Sequence, residues 1–316
     1  MRVLVTGGAG FMGKTIVNDL LAHGHTVRVL DKNAQSLAGI EHGRLELMTG
    51  GIEDVAKVKE AVSSAEVIYH LAETFSSNPY EVLDIDIRGN LNLLVEARAQ
   101  KVQHFLFTST HRVYGRPRYV PVDEEHPLHA EESGRAVYAS AKLVGEKLCL
   151  TYWQEQNLPV TIFRFWWAFS DEIGGRVLRN MIDAALRGET LRVPERAGGN
   201  FLYNDDAALA MRLAAGNCAA YGEVFNISSG TYTTWRELSE MVIELTGGKS
   251  KLEFISPDED AAKTMIASDR SIKYECNLDI SKARHLINFE PLYPSQKVKS
   301  LLREALSGLV EARKKR

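Results

Sequence analysis

Tyr138 and Lys142 stand four residues apart in Tyr138-Ala-Ser-Ala-Lys142. On a helix this spacing puts a phenol and an amine on one face. A free tyrosine titrates near ~10, too high for a base at neutral pH. A neighbouring ammonium favours the phenolate, and a second positive charge in the same dehydrated site favours it further. Lowering the titration point by roughly three pH units takes about 4 kcal/mol of differential interaction. Ser109 and Thr110 end the apolar run Phe105-Leu-Phe-Thr-Ser109, where a hydroxyl can orient a substrate alcohol toward the phenol. Each feature has a bland alternative: a solvated helix face for the pair, a capped turn for the hydroxyls. What lies upstream decides between them.

Upstream, Met1-Arg-Val-Leu-Val-Thr6 reads as a buried strand and runs into Gly7-Gly-Ala-Gly10-Phe-Met-Gly13. Lys14 to His23 has helical spacing at Ile16, Val17, Leu20 and Leu21, with Gly24 placed to cap its end. Thr26-Val-Arg-Val-Leu30 is a second strand, with Asp31 at its tip. Strand, glycine turn, helix, strand and acid in this order predict dinucleotide binding. Glycines let the backbone approach a pyrophosphate, and the helix N-terminus offers unpaired N–H groups and partial positive charge. The alternative is a glycine-rich turn without a ligand. Asp31 can accept from both ribose hydroxyls of an adenosine and repels a 2′-phosphate, so NAD is favoured over NADP. Lys32 is the one residue here that would soften this preference. The oxidised nicotinamide ring then supplies the second positive charge beside Tyr138, and Lys142 can hold the nicotinamide ribose.

A chain of 316 residues is long enough for one large α/β domain and a smaller lobe. Its net charge of −3 gives no electrostatic pull toward nucleic acid or acidic membranes, and no apolar run is long enough to span a bilayer. Arg313-Lys-Lys-Arg316 reads as a solvated helix end. Cys149, Cys218 and Cys276 are spaced for neither a disulfide framework nor a zinc site. They are expected to be reduced thiols in a cytoplasmic protein with no metal. Residues 1–31 belong to the fold, so no cleaved signal peptide is expected.

The rest of the chain continues the alternation. Strands are expected at Arg44 to Met48, Glu66 to His70, Phe105 to Ser109 and Pro159 to Arg164, and helices at Glu53 to Val62, Val82 to Gln100 and Ser133 to Gln154. This rhythm predicts an α/β fold: a doubly wound, parallel Rossmann sheet with right-handed connections. Beyond Arg164 the rhythm breaks. Helices are expected at Gly174 to Leu186, Asp205 to Ala215, Thr233 to Thr246 (capped by Thr233 or Thr234), Ser281 to Leu286 and Pro294 to Ala312, with a strand at Val224 to Ile227 that can extend the main sheet. Residues 1–165, with 200–230, are expected to form the dinucleotide-binding domain. Residues 166–199 and 231–316 form a smaller mixed substrate lobe over the carboxyl ends of the strands.

The motifs Thr6-Gly-Gly-Ala-Gly-Phe-Met-Gly13, His70-Leu-Ala72, Thr108-Ser-Thr-His-Arg-Val-Tyr-Gly115, Tyr138-Ala-Ser-Ala-Lys-Leu-Val-Gly-Glu146, Arg164, Asp205-Asp206 and Phe225-Asn-Ile-Ser228 run across most of the chain. Together they resemble the extended short-chain dehydrogenase/reductases of the NAD-dependent epimerase/dehydratase family. The resemblance implies that Thr110 positions substrate, Tyr138 is the acid/base and Lys142 is its electrostatic partner. Gly7, Gly10, Phe11, Met12, Gly13, Asp31, Leu71 and Ala72 would line the cofactor, with Lys32, Ile52 and Phe165 as further contacts. Ser109, His111, Trp166 and Trp167 are the substrate-side candidates, the tryptophans either stacking on a ring or filling core. His70 is read as structural. The resemblance also implies a homodimer packed through the two long helices.

The departures narrow the activity. Dehydratases of this family usually carry Asp-Glu after the catalytic threonine, where this chain has His111 and Arg112, so a 4,6-dehydratase is not expected. Gly51 stands where the family often has an acid that meets the adenine, and Asp86 where asparagine is common. Trp167 and Gly199-Asn200 replace common ligands of a substrate diphosphate; Arg176, Arg179, Arg192, Arg196 and Arg270 are the cations that can substitute. Two activities stay open: an NAD-dependent sugar or sugar-nucleotide epimerase working through a transient ketone, and a net dehydrogenase of a non-nucleotide alcohol, sugar acid or lactone. A non-catalytic NAD sensor is the reading from outside enzymology, and the complete Thr110, Tyr138, Lys142 set weighs against it.

Overall fold

The computed structural model describes residues 1–40, 42–256 and 273–315. Seven parallel strands form the central sheet: β1 (Arg2–Thr6), β2 (Thr26–Asp31), β3 (Leu45–Thr49), β4 (Val67–His70), β5 (His104–Thr110), β6 (Val160–Phe165) and β10 (Glu223–Ile227). Their spatial order is β10-β6-β5-β4-β1-β2-β3, every neighbouring pair parallel. The order reverses at β1, where ligands of doubly wound sheets bind. The connecting helices are α1 (Phe11–Ala22), α2 (Val55–Val62), α3 (Pro79–Val82), α4 (Asn90–Ala99) and α5 (Ala136–Gln156). Alternation along each strand feeds two cores. Val3 and Val5 face a cluster with Ile16, Val17 and Met211, while Leu4 faces one with Val58, Leu93 and Phe107 on the other side of the sheet.

After β6 come β7 (Trp167–Phe169), α6 (Arg176–Leu186), β8 (Leu191–Pro194), β9 (Gly198–Tyr203) and α7 (Asn204–Ala214). Beyond β10 lie β11 (Tyr232–Thr234), α8 (Trp235–Leu245), β12 (Leu252–Ile255), β13 (Glu275–Cys276), α9 (Ser281–Ile287) and α10 (Ser295–Lys314). Small sheets of β11-β9-β13 with β7, and of β12-β8, share a third core built on Trp166, Phe201, Trp235 and Leu302. None of these strands is legible in the sequence: five of the six have four residues or fewer, too short for alternation to emerge, and β9 opens on Gly198-Gly199. Thr234 is the cap of α8, in a capping box with Glu237. No helix among the described residues is long and apolar enough to cross a membrane.

The single helix expected from Val82 to Gln100 is instead α3, a π-helical turn at Leu83–Gly89, and α4. The wide turn places Asp86, 4% exposed, beneath the loop after β4. There Asp86 Oδ1 accepts from the Thr74 N–H at 2.9 Å, and its Oδ2 has no protein partner.

A polar row crosses the sheet under α5. Ser109, Arg164 and Asn226 are register partners on β5, β6 and β10. Arg164 donates to both oxygens of Glu146 on α5, at 3.0 and 2.7 Å, with side chains 4% and 1% exposed. Ser109 Oγ donates to Glu146 at 2.5 Å. Arg164 also donates to the Tyr114 hydroxyl at 2.9 Å, which donates to Asn226 at 2.7 Å.

Two stability outcomes follow from these buried charges. Glu146→Ala strands the Arg164 guanidinium in the interior and should cost roughly 3–5 kcal/mol in denaturant unfolding; an unchanged midpoint would show that the row is dispensable. Burial pushes the Asp86 carboxyl up to about 6 from an ordinary 3.8. Its folded-state pKa therefore exceeds its unfolded one, and the cost of the buried charge is absent near pH 4 and grows as pH rises through 6. Asp86→Asn keeps the acceptor for Thr74. It should stabilise the protein at pH 8 by on the order of 3 kcal/mol and not at pH 4, as read by thermal melts at both pH values.

Candidate functional site

The carboxyl ends of β1, β2, β4, β5 and β6 open into one cleft of about 1630 Å³. Its floor is the turn between β1 and α1. Gly7 has φ +71°, and a Cβ there would lie 2.7 Å from the Ala72 backbone; a Cβ on Gly13 would lie 2.3 Å from the Gly7 carbonyl oxygen. Only hydrogen fits at either position, so the turn packs against the tip of β4. α1 starts at an N-cap Gly10 with no side-chain capping bond, leaving its first N–H groups to a ligand. Asp31 Oδ2 accepts from Ala9 N at 3.0 Å, and its Oδ1 accepts from Asn33 N at 3.0 Å. The acid thus braces the turn from the end of β2. Gly7, Gly10, Phe11, Met12, Gly13, Asp31, Lys32, Ile52, Leu71, Ala72 and Phe165 all line this cleft. A glycine-floored cradle beside a helix N-terminus and a strand-end acid fits a dinucleotide.

The space beside Gly51 is occupied by a neighbouring acid. A Cβ on Gly51 would lie 2.3 Å from a carboxylate oxygen of Glu53. The Glu53 side chain therefore fills the space that a side chain at 51 would take. Its Oε1 pairs with Lys32 Nζ at 2.7 Å, while its Oε2 is buried without a protein partner. Lys32, the residue expected to soften the NAD preference, is thereby held on a carboxylate.

On the opposite wall, α5 carries Tyr138 and Lys142, and the end of β5 carries Thr110; Tyr138 and Thr110 line the cleft. Lys142 is buried behind them, its Nζ 5.8 Å from the centre of the Tyr138 ring and donating to the Thr108 carbonyl at 3.0 Å. The sequence reading missed Glu73, the residue after His70-Leu-Ala72. Its Oε2 accepts from the Tyr138 hydroxyl at 2.9 Å and lies 2.8 Å from Lys142 Nζ. Burial, and then the charge and hydrogen bond of Glu73, hold the Tyr138 phenol well above the ordinary tyrosine range. Phe75 stacks on Tyr138 at 6.3 Å between ring centres, and Arg135 lies 4.8 Å over the same ring. A carboxylate directly after a small-residue strand tip was the one visible signal of this arrangement.

Two substrate-side candidates have their polar groups directed elsewhere. Ser109 borders the cleft, but its hydroxyl donates inward to Glu146. His111 is 4% exposed; its Nδ1 lies 3.3 Å from the Phe165 carbonyl oxygen, and it is not among the cleft residues. Burial holds its pKa well below the ordinary histidine range, so the imidazole is neutral. Trp166 and Trp167 both line the cleft and pack in the lobe core with Phe201 and Trp235. The alternatives of stacking surface and core filling are therefore not exclusive. A Cβ on Gly199 would lie 2.2 Å from the Trp166 ring, which explains the glycine: the indole occupies the space. Arg176 and Arg179 at the start of α6 line the cleft. Arg192 instead pairs with Glu253 at 2.8 Å, Arg196 is not among the lining residues, and Arg270 lies outside the described residues. His70 bonds Thr6 Oγ1 at 2.8 Å, and burial lowers its pKa to about 3.

Cofactor choice is open to a direct check. The wild-type protein should bind NAD(H) more tightly than NADP(H), because Asp31 repels a 2′-phosphate. Glu53→Gln, by loosening Lys32, should narrow that ratio without reversing it. Calorimetric titration of both proteins with both cofactors decides; a ratio unmoved by Glu53→Gln would remove Lys32 from the account.

Comparison with known proteins agrees with this geometry. Residues 3–228 match the model of the NAD dependent epimerase/dehydratase family. UDP-glucuronic acid decarboxylase 1 of Danio rerio is 28% identical over 309 residues, covering 93% of this chain and 69% of the relative. UDP-glucose 4-epimerase of Thermotoga maritima, solved with UDP-glucose, is 26% identical with a TM-score of 0.76, covering 100% of this chain and 99% of that one. The Thermus thermophilus UDP-glucose 4-epimerase in complex with NAD is 25% identical with a TM-score of 0.75, covering 98% and 99%. NAD is the cofactor these likenesses and the glycine cradle agree on. The chain belongs to the NAD dependent epimerase/dehydratase family.

Proposed function

We propose that the protein is a sugar-nucleotide epimerase working through a transient ketone. The observation that carries this is the meeting of Thr110 and Tyr138 with the glycine cradle in one cleft. In this reading Gly7, Gly10, Gly13 and Asp31 hold NAD, Lys142 holds its nicotinamide ribose, and bound NAD supplies a reversible hydride acceptor. Thr110 orients the substrate hydroxyl, and Tyr138 takes its proton as the carbinol becomes a ketone. The ketone turns within the cleft, and Tyr138 returns the proton as hydride comes back on the other face. Turning requires a remote anchor, and Arg176 and Arg179 at the open end of α6 offer cations and helix N–H groups for a diphosphate. The homodimer belongs to the same reading. Exposed Leu91 and Val95 on α4, and Val137 and Val144 on α5, supply apolar surface on the two helices concerned.

A second reading, decarboxylation of a nucleotide-linked uronic acid, is favoured by one feature. Arg112 lines the cleft and its charge acts on Tyr138, a suitable neighbour for a substrate carboxylate. Oxidation of the hydroxyl β to that carboxylate gives a β-keto acid. Its C–C bond then breaks, CO₂ leaves, and the electron pair stays on the sugar as an enolate that is reprotonated before hydride returns. The relative from Danio rerio carries a decarboxylase name.

The test incubates the protein and NAD+ with panels of UDP-sugars, UDP-uronic acids and free sugar acids. Isomer interconversion with no steady NADH is the expected result. Released CO₂ with a pentose product selects the decarboxylase, and stoichiometric NADH from a free hydroxy acid establishes the dehydrogenase and overturns both. With the active substrate, Tyr138→Phe should lower turnover ~10²–10⁴-fold with NAD binding nearly intact; near wild-type activity would exclude Tyr138 as the base.

A further inference from the structure

Glu73 stands apart from every other carboxylate of the cleft. A single oxygen, Oε2, takes both donors of the proposed catalytic pair, Tyr138 Oη at 2.9 Å and Lys142 Nζ at 2.8 Å. Lys142 is 3% exposed and Glu73 22%, so the carboxylate lies on the cleft side of an otherwise buried ammonium. Lys142 has three N–H donors; one goes to the Thr108 carbonyl and one to Glu73. The segment carrying Glu73 begins at Ala72, whose backbone is in van der Waals range of the first glycine turn. The carboxylate therefore extends into the space a dinucleotide must enter. Three contacts hold the segment there: Thr74 N to Asp86, Phe75 on Tyr138, and Arg135 over Phe75 at 5.3 Å.

We propose that Glu73 is an internal competitor for the Tyr138–Lys142 pair, occupying in the cofactor-free protein the two donors that the NAD ribose and the substrate alcohol require. The inference rests on the reading of Tyr138 and Lys142 as the catalytic pair. A carboxylate is a stronger acceptor for an ammonium than a hydroxyl is, so the dinucleotide binds against this contact and its apparent affinity is lowered by it. The same contact sets the charge of the pair. With Glu73 in place the ammonium is paired with a carboxylate and the phenol keeps its proton; with Glu73 turned away, the Lys142 ammonium is free to favour the phenolate. Cofactor entry and activation of the base are then one event. The groups facing this cluster are Lys142 and Tyr138 on α5, Arg135 just before it, Arg112 after β5 and Asp86 on the π-helical turn.

The test needs no substrate. NAD+ affinity is measured by calorimetry for the wild type, Glu73→Ala and the isosteric Glu73→Gln, with thermal melts to verify folding. Both variants should bind NAD+ about 5–20-fold tighter. In a Lys142→Met background, Glu73→Gln should have no further effect, since the ammonium it competes for is gone. Unchanged or weaker binding in both single variants, or an undiminished effect in the Lys142→Met background, would overturn the proposal. Should no substrate panel give turnover while Glu73→Gln still tightens NAD+ through Lys142, the epimerase reading fails and the competition for the ammonium stands without it. Turnover with unmoved NAD+ affinity gives the converse.

Discussion

The ion pair of Arg164 and Glu146, buried between α5 and the sheet, holds the site in register. Neither charge is sustainable in the interior alone. Each oxygen of Glu146 is met by Arg164, and one also by Ser109, so α5 has one depth and one rotation at which the pair is satisfied. Lys142 is one helical turn before Glu146 and Tyr138 one turn before that, so fixing Glu146 aims all three. The row continues through Tyr114 to Asn226, tying the last strand of the sheet to the same point. Thr110 ends β5 one residue beyond Ser109, and Arg112 follows in the next turn.

The cleft is a set of charges held close to cancellation. Lys32 sits on Glu53 beyond the tip of β2, and Lys142 on Glu73 beside Tyr138. In both places a carboxylate from another segment meets the lysine. The site's electrostatics are therefore those of pairs, not of single residues. In the lobe the fit is steric: Trp166 occupies the volume above Gly199, and Arg176 and Arg179 of α6 line the cleft beside it.

Much of this was legible in the chain itself. The strand–glycine turn–helix–strand–acid order of residues 1–31 specifies a cradle because every part depends on local geometry: φ at Gly7, contact at Gly13, the reach of Asp31. The alternation of apolar runs with 3.6-residue periodicity specifies a parallel sheet, and the spacing of Tyr138 and Lys142 specifies a shared helix face. Long amphipathic elements announce themselves because burial repeats along them. The short strands of the lobe do not, and neither does the π-helical turn at Leu83–Gly89, whose extra width serves Asp86 and not any periodicity.

Only the tertiary structure decided what each polar side chain does. Ser109 and Thr110 are adjacent hydroxyls, and sequence treats them alike; alternation on β5 sends one to Glu146 and leaves the other at the cleft. His111 follows at once, and burial leaves it neutral and turned to Phe165. Glu73 is 65 residues from Tyr138 along the chain, and nothing local connects them; the parallel pairing of β4 with β5, and the packing of α5 over it, bring them within a hydrogen bond. Sequence specified which chemistry was present, because residue types and short spacings are local properties. Which groups face each other, and so which charges are free to act, depends on contacts between distant segments, and those exist only once the sheet has formed.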